Sequence, residues 1–323
     1  MSIAARSIGS RVASHPVRGS VHSVYRQACN IELGDGTLLT LLAQELGNLP
    51  HGIRCALPDP ADFQLWLRPG LVAAADGVWL HIPQAGVAVD LVGAERWHGK
   101  LDACALDPHA GPTVRAMLTV RLLLREQALR GGFAPLVLDD AAPGSPLERA
   151  MQRRLMQTLP ELGRASMSLD SALAVKALEQ LAGLGPGLTP SGDDFIVGYL
   201  AALHSRCSRE PLLRPFLHGL VAALTRLAAA ANVISRQFIF NALEGEFSEW
   251  LAELVAAIAL HDAVRLRESV ARVVRIGHSS GADSLVGLLF GLCPSLVLGY
   301  VPAAARSCAL PLSRRHSSAS FPL

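Results

Sequence analysis

Twelve residues constrain this chain more than any others: Gly183-Leu-Gly-Pro-Gly-Leu-Thr-Pro-Ser-Gly-Asp-Asp194, followed at once by the apolar run Phe195-Ile-Val-Gly-Tyr-Leu-Ala-Ala-Leu203. Gly183, Gly185 and Gly187 permit positive φ, and Pro186 and Pro190 fix the path between them, so the segment itself cannot be helical. It reads as a shaped loop that delivers the chain to a helix start, where unpaired backbone N–H groups attract anions. Gly185, Gly187, Gly192 and the Thr189 and Ser191 hydroxyls are therefore candidate anion-binding groups. The loop lacks the terminal Gly-Lys-Ser/Thr of a nucleotide-binding P-loop, and its glycine spacing is wrong for a dinucleotide fingerprint.

The pattern recurs in part. Gly277-His-Ser-Ser-Gly-Ala-Asp283 precedes Ser284-Leu-Val-Gly-Leu-Leu-Phe-Gly291. Ser191-Gly192 corresponds to Ser280-Gly281, Asp194 to Asp283, and Val197-Gly198 to Val286-Gly287. A serine followed three residues later by an acid predicts a capped helix start, and capping alone, at about 1 kcal/mol, would account for Asp194 and Asp283. It does not account for Gly183 to Pro190. Gly198 and Gly287, one turn on, predict a close crossing of the two helices.

Four groups of residues offer chemistry. The loop is the first. Asp193 and Asp194 are the second; as helix neighbours they point about 100° apart, so Asp194 is expected to cap while Asp193 reaches the site as an acid, base or Mg²⁺ ligand. His278, with Ser279, Ser280, Gly281 and Asp283, would lie opposite the loop and supply a proton; a histidine bonded at a helix entry is the plainer alternative. The fourth is Asn232-Val-Ile-Ser-Arg236, where Asn232 suits a cap or a site and Arg236 an anion or a surface ion pair with Glu244 or Glu246. Catalytic roles are thus expected of Asp193 and His278, and anion binding of Gly185, Gly187, Thr189, Ser191, Gly192, Asp194, Asn232, Arg236, Ser280, Gly281 and Asp283. No metal set stands out and no cofactor is indicated, Mg²⁺ at the acidic residues aside.

The 323 residues are half hydrophobic and 17% charged, with a net charge of +2. This balance predicts a large interior, a sizeable subunit interface, or both, and argues against nucleic acid as a partner. Six scattered cysteines with no CxxC pair fit a reducing cytoplasm. Leu285 to Val301 is apolar enough to warrant a membrane check, but Pro294 interrupts it, and a buried helix is expected instead.

The organisation is expected to be α+β: an N-terminal, small, antiparallel β-rich domain followed by a C-terminal α-helical domain. Residues 1–19, basic and rich in serine and arginine, are expected to be a disordered tail. Residues 20–111 alternate short apolar runs with turn signals such as Gly34-Asp-Gly36 and Asp76-Gly77, which predicts a small sheet or barrel. Residues 112–144 read as a helix and a linker, and 145–302 as the helical domain that carries both glycine motifs in its core. Residues 303–323 read as a second disordered tail.

The 183–194 motif closely resembles the signature of the bacterial family associated with the AllH-type subunit of oxamate carbamoyltransferase. Weaker support comes from His22-Ser-Val-Tyr-Arg-Gln-Ala-Cys-Asn30, from Asn232-Val-Ile-Ser-Arg236 followed by Ala242-Leu-Glu-Gly-Glu-Phe247, and from the 277–283 motif, so the similarity runs from about His22 to Leu292. The resemblance implies a place in allantoin (purine) nitrogen catabolism, where oxalurate and phosphate are interconverted with oxamate and carbamoyl phosphate. It also implies partner subunits, one of them similar to acyl-CoA synthetases, and a small anionic substrate. Two alternatives stand beside it: a non-catalytic scaffold subunit, and a Mg²⁺-dependent hydrolase or phosphotransferase using Asp193, Asp194 and Asp283.

Overall fold

The computed structural model describes residues 1–101, 105–127, 131–138 and 144–298. The expected tail at 303–323 lies outside the described residues. Nine strands open the chain: β1 (Ser2–Gly9), β2 (Val17–Val24), β3 (Ala28–Leu33), β4 (Leu38–Ala43), β5 (Gly52–Cys55), β6 (Val72–Ala75), β7 (Trp79–Ile82), β8 (Val87–Asp90) and β9 (Glu95–Trp97). They form one sheet in the order β5-β4-β3-β2-β6-β7-β8-β1-β9, and a β1–β5 pairing closes it into a barrel. Most pairings are antiparallel; β1 runs parallel to β8 and β9, and β4 parallel to β5. The barrel is filled by alternate residues such as Ile3, Val21, Ile31, Leu39, Leu41, Ile53, Leu80 and Val89.

Residues 1–19 are therefore not a tail. Strand β1 alternates outward Ser2, Ala4 and Arg6 with buried Ile3, Ala5 and Ser7. This period-2 pattern is that of a half-buried strand, and the polar and basic residues that suggest disorder occupy its solvent face. β1 supplies the closure, because it bonds β5 on one side and β8 on the other.

Ten helices follow among the described residues: α1 (Gly111–Glu126), α2 (Ala134–Leu138), α3 (Pro146–Ser168), α4 (Ser171–Leu181), α5 (Ser191–Arg206), α6 (Leu213–Ala230), α7 (Val233–Leu243), α8 (Glu249–Leu260), α9 (Ala263–Val274) and α10 (Ser280–Leu292). α2 occupies part of the expected linker; Pro135 sits in its first turn, where its missing N–H is no loss. α3 begins with a full capping box between Ser145 and Glu148 and continues past Pro160, carried by buried Leu162 and Ala165. No helix among the described residues is long and apolar enough to cross a membrane.

α5 is the axis of the helical domain, buried at every position from Ser191 to Leu203. α10 packs along it, with Phe195 stacked on Tyr199 and Phe290 tilted against both. The barrel docks on the bundle through β4 and α7. Leu39 and Leu41 of β4 face the barrel core, while Leu38 on the opposite face packs against Val233 and Ile234. Arg11 pairs with Glu246 at 3.3 Å, and Asn48 Nδ2 donates to Glu249 at 2.9 Å.

Candidate functional site

The loop ahead of α5 takes the backbone its glycines foretell: φ is 69° at Gly183, 115° at Gly185 and 104° at Gly187, all left-handed. Its use differs from the expectation. The Gly192 N–H donates to Leu184 O at 2.9 Å, and the Asp193 and Asp194 N–H groups donate to Pro190 O at 2.9 and 3.2 Å. These amides are thus engaged within the turn and do not cradle an anion. Asp193 accepts the Gly183 N–H on Oδ1 at 2.8 Å and so ties the loop to the helix. Gly192 and Gly281 are helix contacts: a Cβ on Gly192 would stand 1.7 Å from Leu181 O at the end of α4, and one on Gly281 1.8 Å from Val273 O in the last turn of α9.

The two motifs meet as a pair with exchanged partners. The Thr189 and Ser280 hydroxyls lie 2.7 Å apart and bridge them. The carboxyl of Asp194, from the first motif, is flanked by the Ser280 hydroxyl of the second. The carboxyl of Asp283, from the second, is flanked by the Ser191 hydroxyl of the first and accepts the Phe133 N–H at 2.5 Å. Neither acid caps its helix: α5 has Pro190 and α10 has Ser279 at the N-cap, both without a side-chain cap bond.

Both carboxyls are buried, and the Oδ2 atoms of Asp193, Asp194 and Asp283 have no hydrogen-bond partner. Removal from water holds the Asp194 carboxyl well above the usual carboxylate range, and the nearby Asp283 charge raises it further against the opposing Ser280 and Thr189 hydroxyls. Burial likewise raises Asp283 to about 6, opposed by the Phe133 N–H and by the Ser191 and Ser279 hydroxyls. Burying two ionised carboxylates together is costly, and protonation relieves that cost.

Asp194 lies on a cavity of about 450 Å³ between barrel and bundle, a size suited to a small molecule. Tyr25, Arg26 and Leu42 line it from the barrel, and Thr189, Val197, Asn241, Trp250, Arg275, Ser280 and Ser284 line it from the helices. Arg26 and Arg275 are exposed cations on an otherwise mostly apolar wall. Of the residues nominated from sequence, Thr189, Asp194 and Ser280 line the cavity, with Ser191 and Asp283 buried beside them. Asp193, Gly185 and Gly187 do not line it. His278 is exposed and off the cavity. Asn232 caps α7 by accepting from Ile234 and Ser235 N–H at 3.0 and 3.1 Å. Arg236 donates to Gly36 O at 2.8 Å and faces Glu32 at 3.8 Å, so its partners are on the barrel and are not Glu244 or Glu246. Among the described residues no group of three or more His, Cys, Asp or Glu side chains is arranged to hold a metal ion.

Arg26, Arg275, Asn241 and Trp250 are not legible as site residues in the sequence, because each sits in an ordinary local context and reaches the cavity only through docking of the two domains. Fold and site together define a barrel-and-bundle protein with a cavity at the domain junction, its wall including residues of two related helix starts. Two family models match the chain: the AllH family N-terminal domain over residues 1–96, and the oxamate carbamoyltransferase subunit AllH over residues 181–292. The chain belongs to this oxamate carbamoyltransferase subunit family. No solved structure matches it.

Proposed function

We propose that this chain contributes the interdomain cavity to a carbamoyltransferase that interconverts oxalurate and phosphate with oxamate and carbamoyl phosphate, working with partner subunits of which one is synthetase-like. The family supports carbamoyl transfer. The observation that carries the cavity assignment is Asp194, a buried carboxyl on the cavity wall whose hold on a proton is raised by burial and by Asp283. An ionised carboxylate there would repel anionic substrates; a protonated one can donate to them.

In the forward reaction a hydrogen phosphate oxygen bonds to the carbamoyl carbon, and the bond from that carbon to the oxamate nitrogen breaks. That nitrogen is a poor leaving group unless it gains a proton. Asp194 supplies it, and the proton lost by hydrogen phosphate returns to Asp194, so none is gained or lost overall. Arg26 and Arg275 serve as counter-ions for the carboxylate and the phosphate. Thr189 and Ser280 hold the acid in place through their shared hydroxyl contact.

The test is carbamoyl phosphate formation from oxalurate by the co-purified complex. Asp194→Asn is expected to cut turnover by about 10²- to 10⁴-fold with assembly intact. Full turnover by that variant would point to a scaffold role for this subunit.

A further inference from the structure

A buried chain of side-chain amides crosses the domain junction and ends beside the cavity. The Leu38 N–H of β4 donates to Gln237 Oε1 at 2.9 Å. Gln237 Nε2 donates to Asn241 Oδ1 at 3.1 Å. Asn241 Nδ2 lies 2.7 Å from His51 Nδ1. Gln237, Asn241 and His51 are 8, 4 and 1% exposed, so their orientation is set mainly by their bonds to one another.

The first link determines all the others. A backbone N–H can only donate, so the Gln237 atom facing Leu38 is the oxygen, and its amide nitrogen faces Asn241. Asn241 must then present its oxygen to Gln237 and its nitrogen to His51. His51 Nδ1 must accept, which places the ring proton on Nε2. Complete burial keeps this ring neutral by pushing its pKa down to about 3, and Phe238 stands edge-on at 5.2 Å to hold it.

An amide nitrogen carries two protons, and His51 takes one. We infer that Asn241, which lines the cavity, donates its second Nδ2–H to the carbonyl oxygen of the carbamoyl group, with Gln237 and His51 as positioning residues. This inference rests on the carbamoyl-transfer reading and names the donor that reading lacks. Asp194 protonates the departing nitrogen; Asn241 stabilises the oxygen on the carbon under attack. A donor fixed in advance loses little orientational freedom when substrate arrives, which is what makes such groups effective. The polarity of the amide matters, so an isosteric carboxylate at the same position would present an acceptor where a donor is needed.

The experiment is calorimetric binding of oxalurate to the co-purified complex, with turnover and thermal unfolding measured in parallel. Asn241→Asp is expected to weaken oxalurate binding or lower kcat by about tenfold or more, the scale of one lost hydrogen bond to a desolvated partner. His51→Leu is expected to lower kcat more than it raises KM, because the amide is then free to rotate. His51→Asn, which restores an acceptor near the Nδ1 position, is expected to recover most of that loss. Where Asn241→Asp impairs folding, the His51 pair carries the test: equal kcat in the Leu and Asn variants overturns the positioning role. Oxalurate binding and turnover unchanged in a folded Asn241→Asp variant overturn the inference alone. A wild-type complex that binds neither oxalurate nor carbamoyl phosphate overturns both the inference and the carbamoyl-transfer reading.

Discussion

Gly198 of α5 and Gly287 of α10 lock their helices reciprocally. A Cβ on Gly198 would stand 1.8 Å from Ser284 O, and one on Gly287 would stand 2.0 Å from Phe195 O. The backbones touch because neither residue has a side chain, and this contact brings Asp194 and Asp283 into one buried space. Gly198→Ala or Gly287→Ala must push the helices apart. Each is expected to cost about 3 kcal/mol, the upper part of the range for overpacking, read as a lower midpoint in urea unfolding with an unchanged slope.

The buried acids make stability depend on pH with a definite sign. The folded-state pKa of Asp283 is raised from 3.8 to about 6, so the folded protein holds its proton more tightly than the unfolded chain. The stabilisation is full below about pH 4 and is lost as pH rises towards 6. The difference is on the order of 3 kcal/mol at most. Unfolding free energies measured across this window should fall with rising pH in the wild type and fall less in Asp283→Asn, which keeps an oxygen for the Phe133 N–H.

Asp193 and Asp194 are neighbours with separate tasks. Asp193→Ala leaves the Gly183 N–H without its acceptor, and a cost of about 1–3 kcal/mol in stability follows from the donor left unsatisfied. Asp194→Asn is expected to spare stability and remove turnover. Exposed His278, changed to alanine, is expected to leave both within about twofold of wild type, since surface changes of this kind are near neutral. Measuring unfolding and turnover on the three variants separates loop tethering from chemistry.

Closure of the barrel depends on β1. Removing residues 2–9 strips β5 and β8 of a shared neighbour and exposes the barrel core around Ile53 and Val89. The truncated protein is expected to lose cooperative unfolding by circular dichroism, whereas a true tail could be removed without effect.

The helices are largely legible in the sequence because their apolar runs are long and end at clear breakers, as at Gly183–Pro190 and Gly277. The glycine-permitted crossing of α5 and α10 is legible too, since matching glycines one turn after matching acids suit two backbones in contact. The two neighbouring acids do not take the places that local pattern suggests: Asp193 tethers the loop, and Asp194 lines the cavity. Pattern makes Asp194 a cap, yet Pro190 takes the cap position and frees Asp194 for the cavity. Strand β1 is hidden because its outward arginine and serine residues mask a short alternation. Asn241 and His51 cannot be paired from sequence: 190 residues separate them, and only docking of β4 on α7 brings them to 2.7 Å.

The protonation of Asp194 at neutral pH is the most direct test. Infrared difference spectra of the wild type against Asp194→Asn, recorded at pH 7, report the carbonyl stretch of a protonated carboxyl. This band is expected in the wild type, absent from the variant, and shifted but not lost when oxalurate and phosphate are added together, because Asp194 regains its proton in each turnover. A spectrum showing only ionised carboxylate at Asp194 at that pH would contradict a protonated acid on the cavity wall.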